Sequence, residues 1–291
     1  ARGLGDVYKR QSPEDMIEKY GADTVRLFIL FAANPTAGMD WSDTALEANY
    51  RVMLQLRTIP ETILNWGSDA SPIDDWLVAR LKQRVAEFSE AMDSYDLRRA
   101  VEISHYELVK DVNWYARRGG NNAAIGRLVL ESWTYLISVS TPHLAEEWGR
   151  CLSLKEMVSA SEMGDIKPVS KDEESVLNHE YIMRAVLENS RKVMSIAEKH
   201  LDGQAQKLTL IISPEWKNQL SRAAINYLND GGNVKQFIQE LKQMDFVNDE
   251  NMGQILSYWN KKMLSQVFKW DDKSKSLILD NIDEAEVLIE R

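Results

Sequence analysis

Residues 96–118, DLRRAVEISHYELVKDVNWYARR, decide the fold class because their apolar side chains recur at the spacing of an α-helix. Steps of three and four residues place on one side Leu97, Val101, His105, Leu108, Val112 and Tyr115. Gly119 and Gly120 follow directly and predict the end of this helix. A helix with one apolar side buries that side, so the segment predicts packing inside a helical bundle. His105, on the apolar side, is predicted to be a core histidine rather than a catalytic one.

The opposite side of the same predicted helix interleaves cations with aromatic rings. At about 100° per residue it carries Arg99, Tyr106, Lys110, Trp114 and Arg117. Such a face suits RNA because cations contact phosphates and rings stack on unpaired bases. The alternative is that the two rings pack on a neighbouring helix while the long cationic side chains lie over them. Spacing alone favours this packing alternative.

Two further groups of polar and basic residues extend the RNA hypothesis. Arg118 and residues 121–122 (Asn-Asn) continue the cationic face into the next loop. Lys and Arg also slightly outnumber Asp and Glu between Trp76 and Arg127. A later helix carries Arg184, Arg191 and Lys192 on one side, for which a solvated helix face is the favoured explanation from spacing alone.

Helical patterns also fill the chain on both sides of this segment. Before it, helices are predicted at residues 12–20, 22–33, 43–66 and about 77–95, with a loop at 34–38 and a break at 67–72. After it, a nearly all-apolar helix is predicted at 123–140, followed by a short helix that begins at Thr141 and Pro142. Residues 159–175 are polar and predict a linker.

The remainder of the chain mixes helix and strand patterns. Helices are predicted at about residues 176–200, 215–229, 233–244, 252–264 and from 283 onward, and strands at 207–213 and within 266–279. The predicted fold class is therefore mostly α, a helical bundle followed by a small α+β C-terminal domain.

Composition excludes several classes of function. The net charge of −10 argues against a protein that coats nucleic acid generally, although it allows a local basic face. Cys151 is the only cysteine and the four histidines are scattered, so no metal site is predicted. The sequence has no Gly-rich phosphate loop between a strand and a helix. Without a membrane span or signal peptide, we expect a cytoplasmic protein.

Several stretches resemble one enzyme family. Residues 12–51, with EKYGADTVRL at 18–27 and MDWS at 39–42, resemble the segment after the KMSKS loop of class I aminoacyl-tRNA synthetases for Leu, Ile, Val and Met. NWYARR at 113–118, TPHLAEE at 141–147 and IISPEWK at 211–217 are similar to the anticodon-binding bundle and C-terminal domain of archaeal-type leucyl-tRNA synthetases. The resemblance covers nearly the whole chain from Ser12.

This resemblance implies a role in protein biosynthesis. The parent enzyme joins leucine to tRNA(Leu) through an adenylate, with ATP and Mg as its cofactors. The region that this chain resembles binds the tRNA. The candidate tRNA-binding residues are Arg99, Lys110, Trp114, Arg117, Arg118, Asn122, Arg184, Arg191 and Lys192. In this family the contacts are expected to fix orientation on the RNA backbone and not to read bases.

The chain also departs from the family pattern. ARGLGDVYKRQ, residues 1–11, stands where the KMSKS loop is expected, and the HIGH motif and the editing domain are missing. No catalytic residue or cofactor is therefore predicted for this chain, which is expected to be inactive alone. The predicted divisions are a foreign segment at 1–11, the end of the catalytic region at 12–42, the bundle at 43–158, the linker at 159–175, and a C-terminal domain at 176–291 that is expected to be cut short.

Two alternatives remain open from the sequence. The chain could be the same region of an isoleucyl, valyl or methionyl enzyme, although SPEW at 213–216 argues against this. It could instead be a helical protein-interaction module with no RNA role, which explains the acidic charge but not residues 12–51. The predicted partner is tRNA(Leu), not DNA or a membrane. The parent is expected to be a monomer, and no oligomeric state is predicted for this chain.

Overall fold

The computed structural model describes residues 13–32, 41–200, 209, 214–230 and 234–260. The chain divides into two compact units, Ala1–Glu174 and Ser175–Arg291. Several predictions lie outside the described residues. These are the foreign segment, the loop at 34–38, the strand at 207–213 apart from Thr209, the strand pair within 266–279 and the helix from 283.

The first unit opens with three helices that the sequence predicts. They are α1 (Pro13–Tyr20), α2 (Ala22–Ala32) and α3 (Asp43–Leu64). Gly21 separates the first two with a φ of 83°, a left-handed conformation that glycine adopts without a steric penalty. The Ser42 side chain accepts a hydrogen bond from the Ala45 amide and so caps α3.

The next helical segment differs from its prediction as one regular helix. After α4 (Ile73–Asp93) come α5 (Leu97–Val101), a π-helical turn (Glu102–Glu107) and α6 (Leu108–Arg117). A π-helical turn bonds residues five apart and so holds more residues than a normal turn. A face calculated at a constant angle per residue therefore does not continue through Glu102–Glu107.

Two further helices and a small antiparallel ladder complete the bundle. The helices are α7 (Ala123–Ser138) and α8 (Pro142–Cys151), both predicted. The ladder, in which β1 (Ser68–Asp69) pairs with β2 (Asn121–Asn122), is not predicted by the sequence pattern. The ladder joins the loop before α4 to the loop before α7, so it brings the ends of four helices together.

The core of the first unit is built on large aromatic side chains. Trp133 and Trp148 meet edge to face with ring centroids 5.0 Å apart, and the Trp133 indole donates to the Ser104 carbonyl. Both indoles are essentially fully buried, and burying a side chain of this size stabilises the fold by about 2 kcal/mol or more. The nearly all-apolar helix predicted at 123–140 is only partly buried as α7, because Leu128 is 45% exposed.

The linker ends earlier than predicted because the sequence contains a helix cap that spacing did not reveal. A 3₁₀ turn (Val158–Ala160) is followed by irregular chain, and α9 (Lys171–His200) begins five residues before the predicted start. The Ser170 hydroxyl accepts from the Glu173 amide, and the Glu173 carboxylate accepts from the Ser170 amide. This reciprocal pair is a capping box.

The described part of the second unit is helical. Beyond α9 it contains α10 (Glu215–Asn229), α11 (Val234–Leu241) and α12 (Met252–Tyr258). Its own core comprises Leu220, Ala224, Phe237, Leu241, Ile255 and Trp259. The mostly α fold class is confirmed. Among the described residues, no helix combines the length and apolar content needed to cross a bilayer.

Candidate nucleic-acid interface

One face of α6 presents polar and cationic side chains to solvent. Lys110, Asn113 and Arg117 are all exposed and follow one another at steps of three and four residues. Since each residue advances a helix by about 1.5 Å, the two cations lie roughly 10 Å apart along one side. We call these three residues the α6 face. Two separated cations with an amide between them can contact successive groups of a polyanionic backbone.

The aromatic part of the predicted RNA face is packed inside the bundle. Trp114 is only 7% exposed, with the Arg117 guanidinium 5.9 Å from its ring centroid. Tyr106 stacks on Phe31 at 5.0 Å and donates a hydrogen bond to Asn49. Burial raises the pKa of the Tyr106 phenol to about 12, with a smaller effect of nearby Glu102. The expectation that Trp114 faces solvent is therefore wrong, and the packing alternative holds for both rings.

Arg99 is held by carboxylates of the bundle. Its guanidinium lies 2.7 Å from the Glu107 carboxylate and 3.0 Å from that of Glu87. The hydrogen bond with Glu107 is the main cause that raises the pKa of Arg99. The structure therefore does not group Arg99 with the exposed cations of the α6 face.

The loop after α6 is fixed by a polar network rather than left open. The Asn122 amide donates to Asp74 at 2.8 Å, and its carbonyl accepts from the Ala124 amide, which caps α7. The Tyr115 hydroxyl donates to the other Asp74 oxygen at 2.5 Å. Burial, followed by this hydrogen bond, raises the pKa of Tyr115. Both the nitrogen and the oxygen of the Asn122 side-chain amide thus make structural hydrogen bonds.

Arg118 marks the end of α6 next to the α6 face. Its backbone amide donates to the Trp114 carbonyl at 2.9 Å, and its side chain is half-buried. Gly119 then adopts a φ of 86° and turns the chain away. The half-buried side chain at this turn, that of Arg118, thus directly follows Arg117 in the sequence.

The second predicted group of cations lies on α9. Arg191 and Lys192 are exposed, whereas Arg184 is half-buried. All three belong to one helix, so the predicted spacing of seven and eight residues holds. The helix places them on one side of α9 within the second unit.

Besides the α6 face, the described part of the first unit also has a cleft. A cleft of about 320 Å³ is lined by Tyr20, Tyr50, His143 and neighbouring residues of the first unit. Its charged groups are already paired, with Asp23 2.8 Å from His143 and Arg57 3.5 Å from Glu147. Within the described ranges, no group of three or more His, Cys, Asp or Glu side chains could hold a metal ion.

Comparison with known proteins identifies the bundle. Residues 74–208 match the family described as the anticodon-binding domain of tRNA ligase. Over these residues the chain is similar to the anticodon-binding domain of tRNA ligases. The matched residues run from α4 through α9 up to residue 208 and therefore include both groups of predicted cations.

The curated proteins most similar to the chain include leucine–tRNA ligases. That of Archaeoglobus fulgidus is 28% identical over 264 residues, which is 90% of this chain and 27% of the relative. That of Methanocaldococcus jannaschii is 30% identical over 228 residues, 77% of this chain and 23% of the relative. The chain thus spans about a quarter of the length of the curated relatives it matches. The predicted resemblance to archaeal leucyl-tRNA synthetases is confirmed.

A solved structure also shows a limited likeness. It is the ternary complex of Agrobacterium radiobacter K84 agnB2 LeuRS with tRNA and LeuAMS, with 16% sequence identity. The likeness covers 58% of this chain and 22% of that chain with a TM-score of 0.48, which is too low to show a shared fold.

Proposed function

We propose that this chain is the tRNA-binding part of a leucine–tRNA ligase and that its α6 face contacts the backbone of tRNA(Leu). Two findings that concern the same residues support the proposal. The match to an anticodon-binding domain covers residues 74–208, and α6 within it exposes Lys110 and Arg117.

The α6 face is suited to positioning RNA rather than reading its sequence. Lys110 and Arg117 would each neutralise a phosphate, and the Asn113 amide would bond a ribose hydroxyl or phosphate oxygen between them. Arg118 would add a further cation at the end of the helix. The buried Trp114 ring supports this assignment because it is not available for stacking on a base.

The charge on the rest of the chain would favour binding of RNA at the α6 face. The chain has a net charge of −10, so most of its surface repels a polyanion. RNA would therefore approach most favourably at an exposed pair of cations such as Lys110 and Arg117. Arg191 and Lys192 on α9 provide a second candidate contact, with Arg184 behind them. We assign no base-reading role to either group.

The chemistry of aminoacylation would belong to the rest of the ligase. ATP, Mg and leucine are proposed ligands of the parent enzyme and not of the described residues of this chain. This part would orient the tRNA so that its acceptor end reaches a catalytic site built by other residues.

The proposal is tested by the salt dependence of tRNA binding. Affinity for a tRNA(Leu) transcript is measured between about 50 and 200 mM salt for the parent chain and for the Lys110→Gln, Arg117→Gln double variant. Loss of two phosphate contacts predicts a slope of log K against log salt that is smaller by about 1.4 to 1.8.

A matched control separates contact from overall charge. The Lys19→Gln, Arg57→Gln double variant removes the same charge from exposed residues outside the anticodon-binding domain. It is expected to keep the parent slope. Equal slopes for the parent and for the Lys110→Gln, Arg117→Gln variant would contradict the proposal, as would binding that does not respond to salt.

A further inference from the structure

A cluster of charged side chains connects α4, α5 and the π-helical turn to α6. Its basic members are Arg80 and Arg84 of α4 and Arg99 of α5, and its acidic members are Glu87 of α4, Glu107 of the turn and Asp111 of α6. We call these six residues the charge cluster. Its members come from four separate elements, so no local sequence pattern predicts the cluster.

The centre of the charge cluster is buried. The Arg84 and Asp111 side chains are 7% and 1% exposed, and their Nε and Oδ2 atoms lie 2.8 Å apart. Arg80 reaches the same Asp111 oxygen at 3.1 Å, and Arg84 also contacts Glu107. Removing one partner of such a pair leaves an uncompensated charge in a poorly solvated place, so the geometry is strongly held.

Arg99 closes the outer side of the charge cluster. Its two terminal nitrogens lie 2.7 Å and 3.2 Å from the two Glu107 oxygens, a two-pronged contact that a lysine ammonium cannot reproduce. A third hydrogen bond, of 3.0 Å, joins Arg99 to Glu87. The Arg99 side chain is 34% exposed, so solvent reaches it although its donors face carboxylates.

The charge cluster is electrically balanced. Three guanidinium groups face three carboxylates, and a fourth carboxylate, Glu102, lies 3.7 Å from Arg99. Burial acts to raise the pKa of Glu107, but the Arg99 hydrogen bond and the Arg84 charge outweigh it and lower that pKa. Glu107 thus stays ionised at neutral pH, and Arg99 has no surplus positive charge for a phosphate.

Two cluster residues bracket the first cation of the α6 face. Glu107 immediately precedes α6 and Asp111 lies in its first turn, so Lys110 stands between them in sequence. Both carboxylates point into the charge cluster while Lys110 is exposed. Anchoring the inner side of a helix at two points fixes its rotation, and hence the direction of Lys110, Asn113 and Arg117.

We infer that the charge cluster orients the α6 face for RNA and that Arg99 is a positioning residue, not an RNA contact. The inference rests on the proposed function. It replaces the direct contact that the sequence predicts for Arg99, because the structure places the Arg99 donors on Glu107 and Glu87.

The test compares acidic and basic variants in the 291-residue chain by binding to a tRNA(Leu) transcript over a salt series. Glu107→Gln removes a negative charge, which by simple electrostatics strengthens binding to RNA, whereas loss of positioning weakens it. We expect a weakening of roughly fivefold, and a similar one for Arg99→Lys, with the salt slope of the parent in both. Glu90→Gln, an exposed acid of α4 outside the charge cluster, is the matched control and is expected not to weaken binding.

The possible results separate the inference from the proposed function. Circular dichroism melting establishes that each variant is folded, and Arg99→Lys, which keeps its charge, serves if Glu107→Gln does not fold. Parent-like affinity in folded Arg99→Lys and Glu107→Gln overturns the inference, as does an Arg99→Gln variant whose slope falls by one phosphate contact. Failure of the parent chain to bind tRNA overturns the proposed function instead.

Discussion

Among single residues, His105 most directly links burial to pH. Its ring is 1% exposed, with Nδ1 2.8 Å from the Ser104 hydroxyl and Nε2 3.0 Å from the Thr141 hydroxyl. Burial lowers the pKa of the imidazole from 6.5 to about 3, against a small opposite effect of the Val101 carbonyl. The ring is therefore neutral in the folded chain at every pH near neutrality.

This depressed pKa predicts acid sensitivity above the range in which carboxylates titrate. Below pH 6.5 the unfolded chain takes up a proton that the folded chain does not, so stability falls as the pH decreases toward 3. Between pH 7 and pH 5 the free energy of unfolding should drop by about 2 kcal/mol. Urea denaturation at pH 7, 6 and 5 measures it, with His105→Gln as the control. An equal drop in the control would show that His105 is not its source.

Residue roles were predictable only where one helix determined them. The apolar spacing identified His105 as a core residue, and the structure confirms this. The roles of Arg99 and Asn122 depend on Glu87 and Asp74, which lie on another helix, so no local pattern could reveal them. Trp114 was misplaced because the family resemblance put it among the RNA contacts, whereas spacing alone favoured the packing that the structure shows.

At the level of elements, the closeness of α3 and α7 predicts an unusual response to a glycine substitution. A Cβ on Gly126 of α7 would lie 2.3 Å from Ile63 and 2.8 Å from Trp66. Alanine normally stabilises a helix relative to glycine, but here the overpacking should destabilise the chain by about 1 to 3 kcal/mol. Thermal melting of Gly126→Ala measures the loss.

Gly253 of α12 provides the comparison for this substitution. A Cβ on Gly253 would meet nothing within 4 Å, so Gly253→Ala should be neutral or stabilise by up to about 1 kcal/mol. A rise in melting temperature for Gly126→Ala of the same size as for Gly253→Ala would contradict the close packing of α3 against α7.

Most helices could be predicted from sequence, because caps and apolar spacing are local signals. The bounds of α10 agree with its prediction, and those of α1 and α2 each differ by one residue. The π-helical turn was not predicted, because the apolar spacing through Glu102–Glu107 is that of a regular α-helix. The early start of α9 was predictable in principle, because Ser170 and Glu173 form a capping box.

For the whole molecule, we predict tRNA binding without aminoacylation chemistry. This prediction rests on the proposal that ATP, Mg and leucine are ligands of the rest of the ligase. Leucine-dependent exchange of labelled pyrophosphate into ATP should stay at background in the presence of Mg and tRNA(Leu). Exchange above background that requires both leucine and this chain would contradict the proposal.

The most direct test of the α6 face is the protection of Lys110 by tRNA. Exposed lysines are acetylated with and without a saturating tRNA(Leu) transcript, and the rate at each position is read by mass spectrometry. Lys110 should react several times more slowly in the complex, whereas exposed Lys19, outside the matched residues 74–208, should be unchanged. An unchanged rate at Lys110 in a complex shown to be saturated would contradict the assignment of the α6 face to RNA.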